Sequence, residues 1–268
     1  MTTSPLPSSS PSPSRAAHAH SFNAAAAQYA ANRPSYPPAL LDTVERAAAR
    51  PLDGARVADV GAGTGMATAL LRARGADVIA VEPGEGMAAQ FRRLLPDTPV
   101  VRGDGDSLPL ATASVDLVTY AQSWHWTDPA RSLPEAMRVL RPAGALALWW
   151  NNPALDVPWQ ADQNRRVEEF IGGDAAEKRG SGRRVRTEDV FAGAPALPRC
   201  TRHEIRWSRT VPLDTHLANI GSYSVFLVRG EEATAAFFAE ERAHLLRTFP
   251  GGRVEETYQV VLLVVPRP

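Results

Sequence analysis

Cysteine is almost missing from this sequence, which has Cys200 as its single thiol among 268 residues. One thiol cannot build an internal disulfide framework, and it cannot supply a cysteine-based zinc or iron–sulfur site. Long apolar runs are missing as well, since none approaches the roughly 18 residues that would predict a membrane-spanning helix. We therefore expect a cytoplasmic protein that has no membrane partner and is not stapled by disulfides.

An excess of charge is also lacking, because 29 Lys and Arg residues balance 29 Asp and Glu residues. Proteins that bind nucleic acid or anionic membranes carry a basic surplus, so we predict neither partner. Lysine is nearly absent, with Lys178 as the only one. Short-chain reductases need a Tyr-x-x-x-Lys pair, and here Asp174 stands four residues before the lysine. An NAD(P)-dependent reductase is therefore the weakest of the alternatives considered below.

The chain divides by composition into a tail and one domain. Residues 1–20 are rich in serine and proline and predict a disordered tail. Residues 21–268 are expected to form a single domain. Within it we predict a helical cap over 21–50 and substrate-pocket elements over 152–200 and 213–250.

Apolar strand-like segments alternate with helix-favouring ones between residues 55 and 150. This order predicts parallel strands joined by right-handed helical crossovers, and so an α/β fold with a doubly wound sheet. Ser132 and Glu135 have capping-box spacing, which predicts that a helix begins there. Residues 201–211 and 258–265 are predicted strands that favour an antiparallel pair at the sheet edge.

A glycine-rich bend, Asp59-Val60-Gly61-Ala62-Gly63-Thr64-Gly65, follows the first predicted strand. Glycines at such a bend allow a tight turn and a close approach of the backbone to a ligand. Dinucleotide folds have the pattern Gly-x-Gly-x-x-Gly, but here the third glycine comes one residue early. The Asp59 carboxylate would repel a pyrophosphate and would suit the ammonium group of a ligand. The bend therefore disfavours phosphate binding.

Two more acids follow the next two predicted strands. Glu82 comes 21 residues after Gly61, where a carboxylate can accept both ribose hydroxyls of an adenine nucleoside. Asp104 follows the third strand and could accept from an adenine amino group. Because the carboxyl ends of parallel strands share one edge, Asp59, Glu82 and Asp104 should line one crevice. The alternative is that each acid only caps the turn or helix after it.

With these motifs, residues 22–150 resemble the class I, seven-stranded S-adenosylmethionine-dependent methyltransferases, and the late strand pair fits the last two strands of that family. The resemblance implies a Rossmann-like, mostly parallel sheet with an antiparallel last strand, an N-terminal helical lid, and S-adenosyl-L-methionine as cofactor. The positions that match cofactor contacts of the family are Asp59, Gly61, Ala62, Gly63, Gly65, Glu82, Pro83, Met87, Asp104, Gly105, Ala121 and Gln122. A further matching turn, over residues 138–144, has Ala143 where the family has a glycine.

A narrower resemblance is to small-molecule enzymes such as trans-aconitate methyltransferase. It rests on an N-terminal pattern and on an aromatic–His–Trp segment, which here are Phe22, Ala26, Tyr29, Arg33-Pro34, Tyr36-Pro37 and Gln122-Ser123-Trp124-His125-Trp126. The resemblance implies that Tyr29 and Arg33 contact the methionine carboxylate of the cofactor. The alternative is that this N-terminal helix simply covers the sheet.

Methyl transfer is an in-line displacement, so such an enzyme must align a nucleophile and exclude water. Trp124 and Trp126 are candidates for an aromatic wall beside the sulfonium and the substrate. His125 is the candidate general base because its ordinary pKa is near neutrality, and a loop-shaping histidine is the alternative. Tyr223 is a candidate for the substrate pocket or for simple packing.

We therefore predict an enzyme that methylates an O-, N- or C-nucleophile of a small molecule, such as a secondary metabolite, without a metal. Ala121-Gln122-Ser123-Trp124 disfavours amino-directed DNA and protein-glutamine methyltransferases, which carry a different motif there. A non-catalytic S-adenosylmethionine-binding accessory protein remains open, because cofactor motifs indicate binding rather than turnover. His203 and His216 are expected to be surface or strand histidines.

Overall fold

The computed structural model describes residues 32–172, 186–196 and 198–267. The predicted tail, Tyr29 and Lys178 lie outside these residues.

Within the described residues, seven strands form one sheet in the order β3-β2-β1-β4-β5-β7-β6. The strands are β1 Arg56–Val60, β2 Asp77–Val81, β3 Val100–Val101, β4 Val115–Ala121, β5 Leu140–Pro153, β6 Thr201–Pro212 and β7 Arg253–Pro266. Neighbouring strands among β1 to β5 pair in parallel, and β7 runs antiparallel to both β5 and β6. The predicted doubly wound, mostly parallel sheet with an antiparallel last strand is confirmed.

Helices cover both faces of the sheet. They are α1 Pro38–Ala47, α2 Met66–Ala73, α3 Glu85–Leu94, α4 Pro129–Val139, α5 Pro158–Ile171, α6 Thr187–Val190, α7 Leu213–Gly221, α8 Ser224–Arg229 and α9 Glu231–Thr248. Helices α1 and α2 pack their apolar sides on one face, and α4 packs on the other. In the described part of the chain, no helix combines the length and the apolar character that a bilayer crossing needs.

Helix α4 begins earlier than the sequence predicts. Asp128 is its N-cap and accepts the Ala130 N–H at 3.0 Å. Ser132 therefore lies inside the first turn, where its hydroxyl donates to the Asp128 carbonyl at 2.9 Å. Glu135 accepts the Leu108 N–H at 2.9 Å instead of closing a cap. The predicted capping box is wrong because Asp128, four residues before Ser132, offers a cap and the proline that follows it has a preset φ.

Strands β6 and β7 project beyond the carboxyl end of β5. Pro153, the last residue of β5, pairs with Tyr258, whereas Pro212 at the end of β6 pairs with Arg253. Helices α5, α7 and α9 pack beside this projection through two small apolar clusters. A second layer of structure therefore stands beside the carboxyl edge of the sheet, and α7 and α8 in it were not predicted.

The turn before the long part of β5 is strained at Ala143, which has a φ of +61°. Left-handed backbone costs a non-glycine residue about 1–2 kcal/mol, while a new glycine costs about 0.4–1 kcal/mol through the unfolded chain. We therefore expect Ala143→Gly to raise the free energy of unfolding by roughly 0.5–1 kcal/mol in a urea titration. The control Ala89→Gly, on the exposed side of α3, should lower it by about 1 kcal/mol. Equal losses in both variants would contradict strain at Ala143.

Candidate active site

The carboxyl ends of β1, β2, β3 and β4 meet at one edge of the sheet. β2 lies on one side of β1 and β4 on the other, so the direction of the crossovers reverses between β1 and β4. Ligands of open α/β sheets bind in the crevice at such a switch point. The structure places the glycine bend, Glu82, Asp104 and Gln122 at this edge, after β1, β2, β3 and β4 in turn.

The three glycines of the bend have φ values of +66° at Gly61, +59° at Gly63 and +93° at Gly65. A Cβ on Gly61 would lie 2.5 Å from the Ser123 Cβ, and one on Gly65 would lie 2.6 Å from the Leu95 Cδ1. A Cβ on Gly63 would meet no atom of residues 32–172, 186–196 or 198–267 within 4 Å. Gly61 and Gly65 are therefore required by packing, and Gly63 is the point where the loop backbone faces open space.

Glu82 fastens this bend to the end of β2. Its carboxylate is 6% exposed, and its two oxygens accept the Gly63 N–H at 2.8 Å and the Gly84 N–H at 2.7 Å. Burial raises the pKa of Glu82, and these two hydrogen bonds partly oppose that rise. Each carboxylate oxygen can accept a second hydrogen bond, so Glu82 can hold the loop and a ligand hydroxyl together.

Asp59 lies beneath the bend rather than on its open side. Its carboxylate is fully buried and accepts the Thr68 hydroxyl at 2.6 Å and the Thr119 hydroxyl at 2.9 Å. Burial raises the pKa of Asp59, and the two hydroxyls partly oppose that rise. Asp59 therefore ties α2 and β4 to β1, and in this structure it does not present its charge to the crevice as the sequence suggested.

Asp104 is exposed, and its Oδ1 accepts the Asp106 N–H at 2.9 Å and the Ser107 N–H at 3.0 Å. The turn-capping alternative is thus present, but it uses only one of the two carboxylate oxygens. At Gly105 an added Cβ would lie 2.9 Å from the Tyr120 ring. This position therefore needs glycine for packing, whatever it contributes to a ligand.

Gln122, directly after β4, has a φ of +59° without being glycine. Its N–H donates to the Trp149 carbonyl at 2.9 Å, which holds it in this conformation. Strained residues of this kind persist where their surroundings overdetermine them, and they cluster at functional sites. The other predicted residues of this edge are Ala62 in the bend, the exposed Pro83, the buried Met87 of α3, and Ala121 at the end of β4.

The segment after Ser123 is a single 3₁₀ turn, Trp124–Trp126. Such a turn has three residues per revolution, so successive side chains point in different directions. Trp124 is 2% exposed and its Nε1 donates to the Val190 carbonyl at 2.8 Å. Trp126 is 43% exposed, and His125 is also exposed. The structure therefore buries Trp124 in the core, away from the open side of the crevice, and leaves Trp126 accessible.

His125 lies within reach of the Arg33 charge. Dense protein around the ring, followed by that charge, lowers the pKa of His125 from 6.5 to about 4. Water at the exposed His125 side chain makes this lowering of the pKa smaller. The direction of the shift favours the neutral imidazole. The Arg33 guanidinium also stacks on the Tyr223 ring at 4.7 Å. The fold thus brings Arg33, His125 and Tyr223 together from distant parts of the chain.

A polar cavity beside the β6–β7 projection is the feature that sequence reasoning missed. It is lined by Gln163, His216, Asn219, Glu256 and Tyr258, among others. His216 is 5% exposed, and its Nδ1 lies 2.6 Å from the Glu256 Oε1. The expectation of a surface or strand histidine is wrong for His216. No local pattern could have found this pair, because the two residues are 40 positions apart.

Comparison with known proteins agrees with this geometry. Residues 58–148 match the family model described as a methyltransferase domain. An uncharacterized methyltransferase of Mycobacterium tuberculosis is 42% identical over 188 residues, which are 70% of this chain and 70% of that protein. Demethylmenaquinone methyltransferase of Beutenbergia cavernae is 40% identical over 107 residues, 40% of this chain and 44% of that protein. A solved type II methyltransferase structure from Anaeromyxobacter dehalogenans superposes with a TM-score of 0.64 at 25% identity, covering 87% of this chain and 97% of its own.

Proposed function

This chain belongs to the class I S-adenosylmethionine-dependent methyltransferases, and from that premise we propose that it methylates a small-molecule acceptor. The observation that carries the proposed methyl transfer is the geometry of the cofactor site, in which Glu82 and Gly63 are joined. A buried carboxylate holds the glycine bend at the switch point of the sheet, and none of the residues that the structure describes fills the space in front of Gly63. When bound, S-adenosylmethionine supplies an electrophilic methyl group on a sulfonium sulfur.

The residues at the crevice fit that cofactor, because they provide carboxylate oxygens that can accept hydrogen bonds and a glycine backbone that allows close approach. We propose that Glu82 accepts the ribose hydroxyls through its remaining lone pairs and that the Asp104 Oδ2 accepts the adenine amino group. Gly63 lets the backbone approach the methionine part closely, with Gly61, Ala62 and Gly65 shaping the bend. The remaining proposed contacts are Pro83 and Met87 beside the adenine, Gly105 in the acidic loop after β3, the backbone of Ala121 and Gln122, and Tyr29 and Arg33 at the methionine carboxylate.

Around the reacting atoms we propose that Trp126 and Tyr223 contact the acceptor. Trp124 would support this wall from the core, since its ring packs edge-on against Tyr120 at 4.8 Å. His125 is proposed as the group that takes the proton released by the nucleophile. A neutral imidazole is the form that this role requires, and the lowered pKa of His125, with Arg33 as one of its causes, favours that form.

Isothermal titration calorimetry with S-adenosylmethionine and S-adenosylhomocysteine tests the cofactor assignment. We expect both to bind and a nicotinamide dinucleotide to give no thermal shift. Absence of heat with both sulfur compounds would overturn the proposal. Formation of S-adenosylhomocysteine with a methylated small molecule would support it, and methylation of protein or DNA alone would contradict the acceptor class. Binding without methylation of any acceptor would favour the accessory-protein alternative.

The pH profile tests His125 as the base. Because the pKa of His125 is lowered, its neutral form persists below pH 6.5, so kcat/KM should stay constant down through pH 6.5 and fall only at lower pH. His125→Gln should lower kcat by roughly 100-fold or more, the usual size of a general-base contribution. The control His203→Gln, on β6, should leave kcat unchanged. An unchanged kcat in His125→Gln would assign this histidine to shaping the loop.

A further inference from the structure

The polar cavity adjoins the crevice through a short series of contacts. Tyr223 lines the cavity. The Arg33 guanidinium lies over the Tyr223 ring, 4.7 Å from its centroid, and the charge of Arg33 helps to lower the pKa of His125. Pro153, at the carboxyl end of β5, also lines the cavity. The cavity therefore lies beside the mouth of the crevice, on the side of the β6–β7 projection.

Both glutamates near the cavity are buried, and each is already paired with at least one basic side chain. Glu256 accepts from the His216 Nδ1 at 2.6 Å and from the Arg209 Nε at 2.5 Å. Glu241 accepts from the Arg166 Nε at 2.7 Å and from its second nitrogen at 2.8 Å. Burial acts to raise the pKa of both carboxyls, but these partners outweigh it and lower the pKa. The two carboxylates are therefore ionised and paired, and neither is left to bind a cation.

The glutamine amides at the cavity are also engaged. The Gln163 Nε2 donates to the Glu241 Oε1 at 2.9 Å and lies 3.0 Å from the His216 Nε2. Gln160 donates to the Thr257 carbonyl at 2.8 Å and accepts its N–H at 2.9 Å. These side chains build the wall of the cavity and have little capacity left for a ligand.

Asn219 differs from them. It is 2% exposed, it lines the cavity, and its Nδ2 donates to the Tyr258 hydroxyl at 3.4 Å. Its Oδ1 is buried and has no hydrogen-bond partner within the described part of the chain. A buried carbonyl oxygen without a donor is unfavourable, so an unpaired oxygen on a residue that lines a cavity favours a donor group that arrives from outside.

We propose that this cavity recognises an uncharged hydroxyl group of the acceptor, which donates a hydrogen bond to the Asn219 Oδ1. The inference rests on the proposed methyl transfer and names its substrate class. An ionised carboxylate has no proton to donate to this oxygen. An ammonium group would lose its hydration without meeting an unpaired carboxylate. Apolar contacts from Pro153, Val167 and Ile220 would hold the carbon skeleton that carries the hydroxyl.

The size of the cavity suits this role. The cavity volume is ≈30 Å³, which is enough for a hydroxyl group with its neighbouring carbons and not for a ring system. A carboxylate-rich acceptor such as trans-aconitate would find no unpaired cation among the lining residues, so the inference departs from the narrower resemblance noted in the sequence.

Three probes with one carbon skeleton test the inference: isobutanol, isobutyrate and isobutylamine, the last as its ammonium ion. Each is titrated into the enzyme saturated with S-adenosylhomocysteine, and the NMR methyl signals of Val167 and Ile220 report occupancy. We expect saturable shifts with isobutanol only. Comparable or tighter binding of either charged probe would overturn the inference, and so would a cavity that no probe enters and that holds water only.

Two variants of nearly equal volume give the matched control. Asn219→Leu removes the carbonyl oxygen and should weaken isobutanol binding roughly tenfold, the size of one hydrogen bond. Asn164→Leu changes a neighbour in the same wall whose Nδ2 already donates to the Glu168 Oε1 at 2.8 Å, and isobutanol binding should stay within twofold. Equal effects in both variants would contradict a specific role for Asn219.

A third variant keeps the test informative if leucine disturbs folding. Asn219→Asp preserves the shape and adds a charge, so preference should move from isobutanol to isobutylammonium. An unchanged preference would contradict recognition at this atom. Calorimetry with S-adenosylhomocysteine distinguishes failure of the proposed function from failure of this inference. If S-adenosylhomocysteine does not bind the unaltered enzyme, the proposed function fails. If it binds but the three probes do not follow the expected order, only the acceptor class is refuted.

Discussion

Gly63→Arg is expected to abolish S-adenosylmethionine binding and leave the fold intact. Within the described residues, a Cβ on Gly63 meets no atom within 4 Å, so the new side chain has room in the crevice and would occupy the space proposed for the cofactor. We expect the dissociation constant to rise by roughly 100-fold or more, which corresponds to about 3 kcal/mol or more of binding free energy. Isothermal titration calorimetry measures this loss.

Gly54→Arg is the matched control for this variant. Gly54 has a φ of +69° and Gly63 one of +59°, and a Cβ on Gly54 also meets no atom within 4 Å in the described part of the chain. It precedes β1, at the opposite edge of the sheet from the crevice. Both variants should lose about 1–2 kcal/mol of unfolding free energy through backbone strain, but only Gly63→Arg should lose the cofactor. Parallel losses of binding would show that strain, and not obstruction, is the cause.

Glu82→Gln should give the second large effect. The substitution replaces one carboxylate oxygen by an NH₂ group, which cannot accept from the Gly63 or Gly84 N–H that it would face. It also removes the charge proposed to hold the ribose. Hydrogen bonds to charged groups contribute about 1.5–3 kcal/mol each, so the dissociation constant of S-adenosylmethionine should rise by roughly 100-fold.

The control for Glu82→Gln is Glu85→Gln, in the first turn of α3. Glu85 is exposed, and the loss of its charge should change the dissociation constant by less than about threefold. Circular dichroism of both variants establishes whether the fold is kept. Unchanged affinity in a folded Glu82→Gln would contradict the role proposed for this carboxylate.

Much of the crevice could be predicted because its requirements are local. Asp59 and the three glycines belong to the end of β1 and the bend after it, and Glu82 follows β2, the next strand along the chain. Their spacing therefore depends only on one short stretch of sequence. Parallel strands have their carboxyl ends at one edge, so the order of the motifs also predicts where they meet. The parallel part of the sheet followed in the same way from alternating segments, whereas the antiparallel last strand was implied by the resemblance to the family.

The direction in which individual side chains point could not be predicted in this way. Asp59 lies beneath the bend because Thr68 and Thr119 approach it from α2 and β4. Trp124 enters the core because its segment forms a 3₁₀ turn rather than an extended strand. Both outcomes depend on packing against elements that the local pattern does not specify.

By itself, the sequence determined the sheet, the glycine bend and the acids at the strand ends, since strand periodicity and left-handed turns are properties of short segments. Only the tertiary structure decided which groups meet beside that crevice. Asn219 and Glu256 come from α7 and β7, and the projection of β6 and β7 beyond β5 is what brings them to one cavity. Burial and charge pairing arise from contacts between distant segments, and a buried carbonyl oxygen lacks a partner only once those contacts have formed.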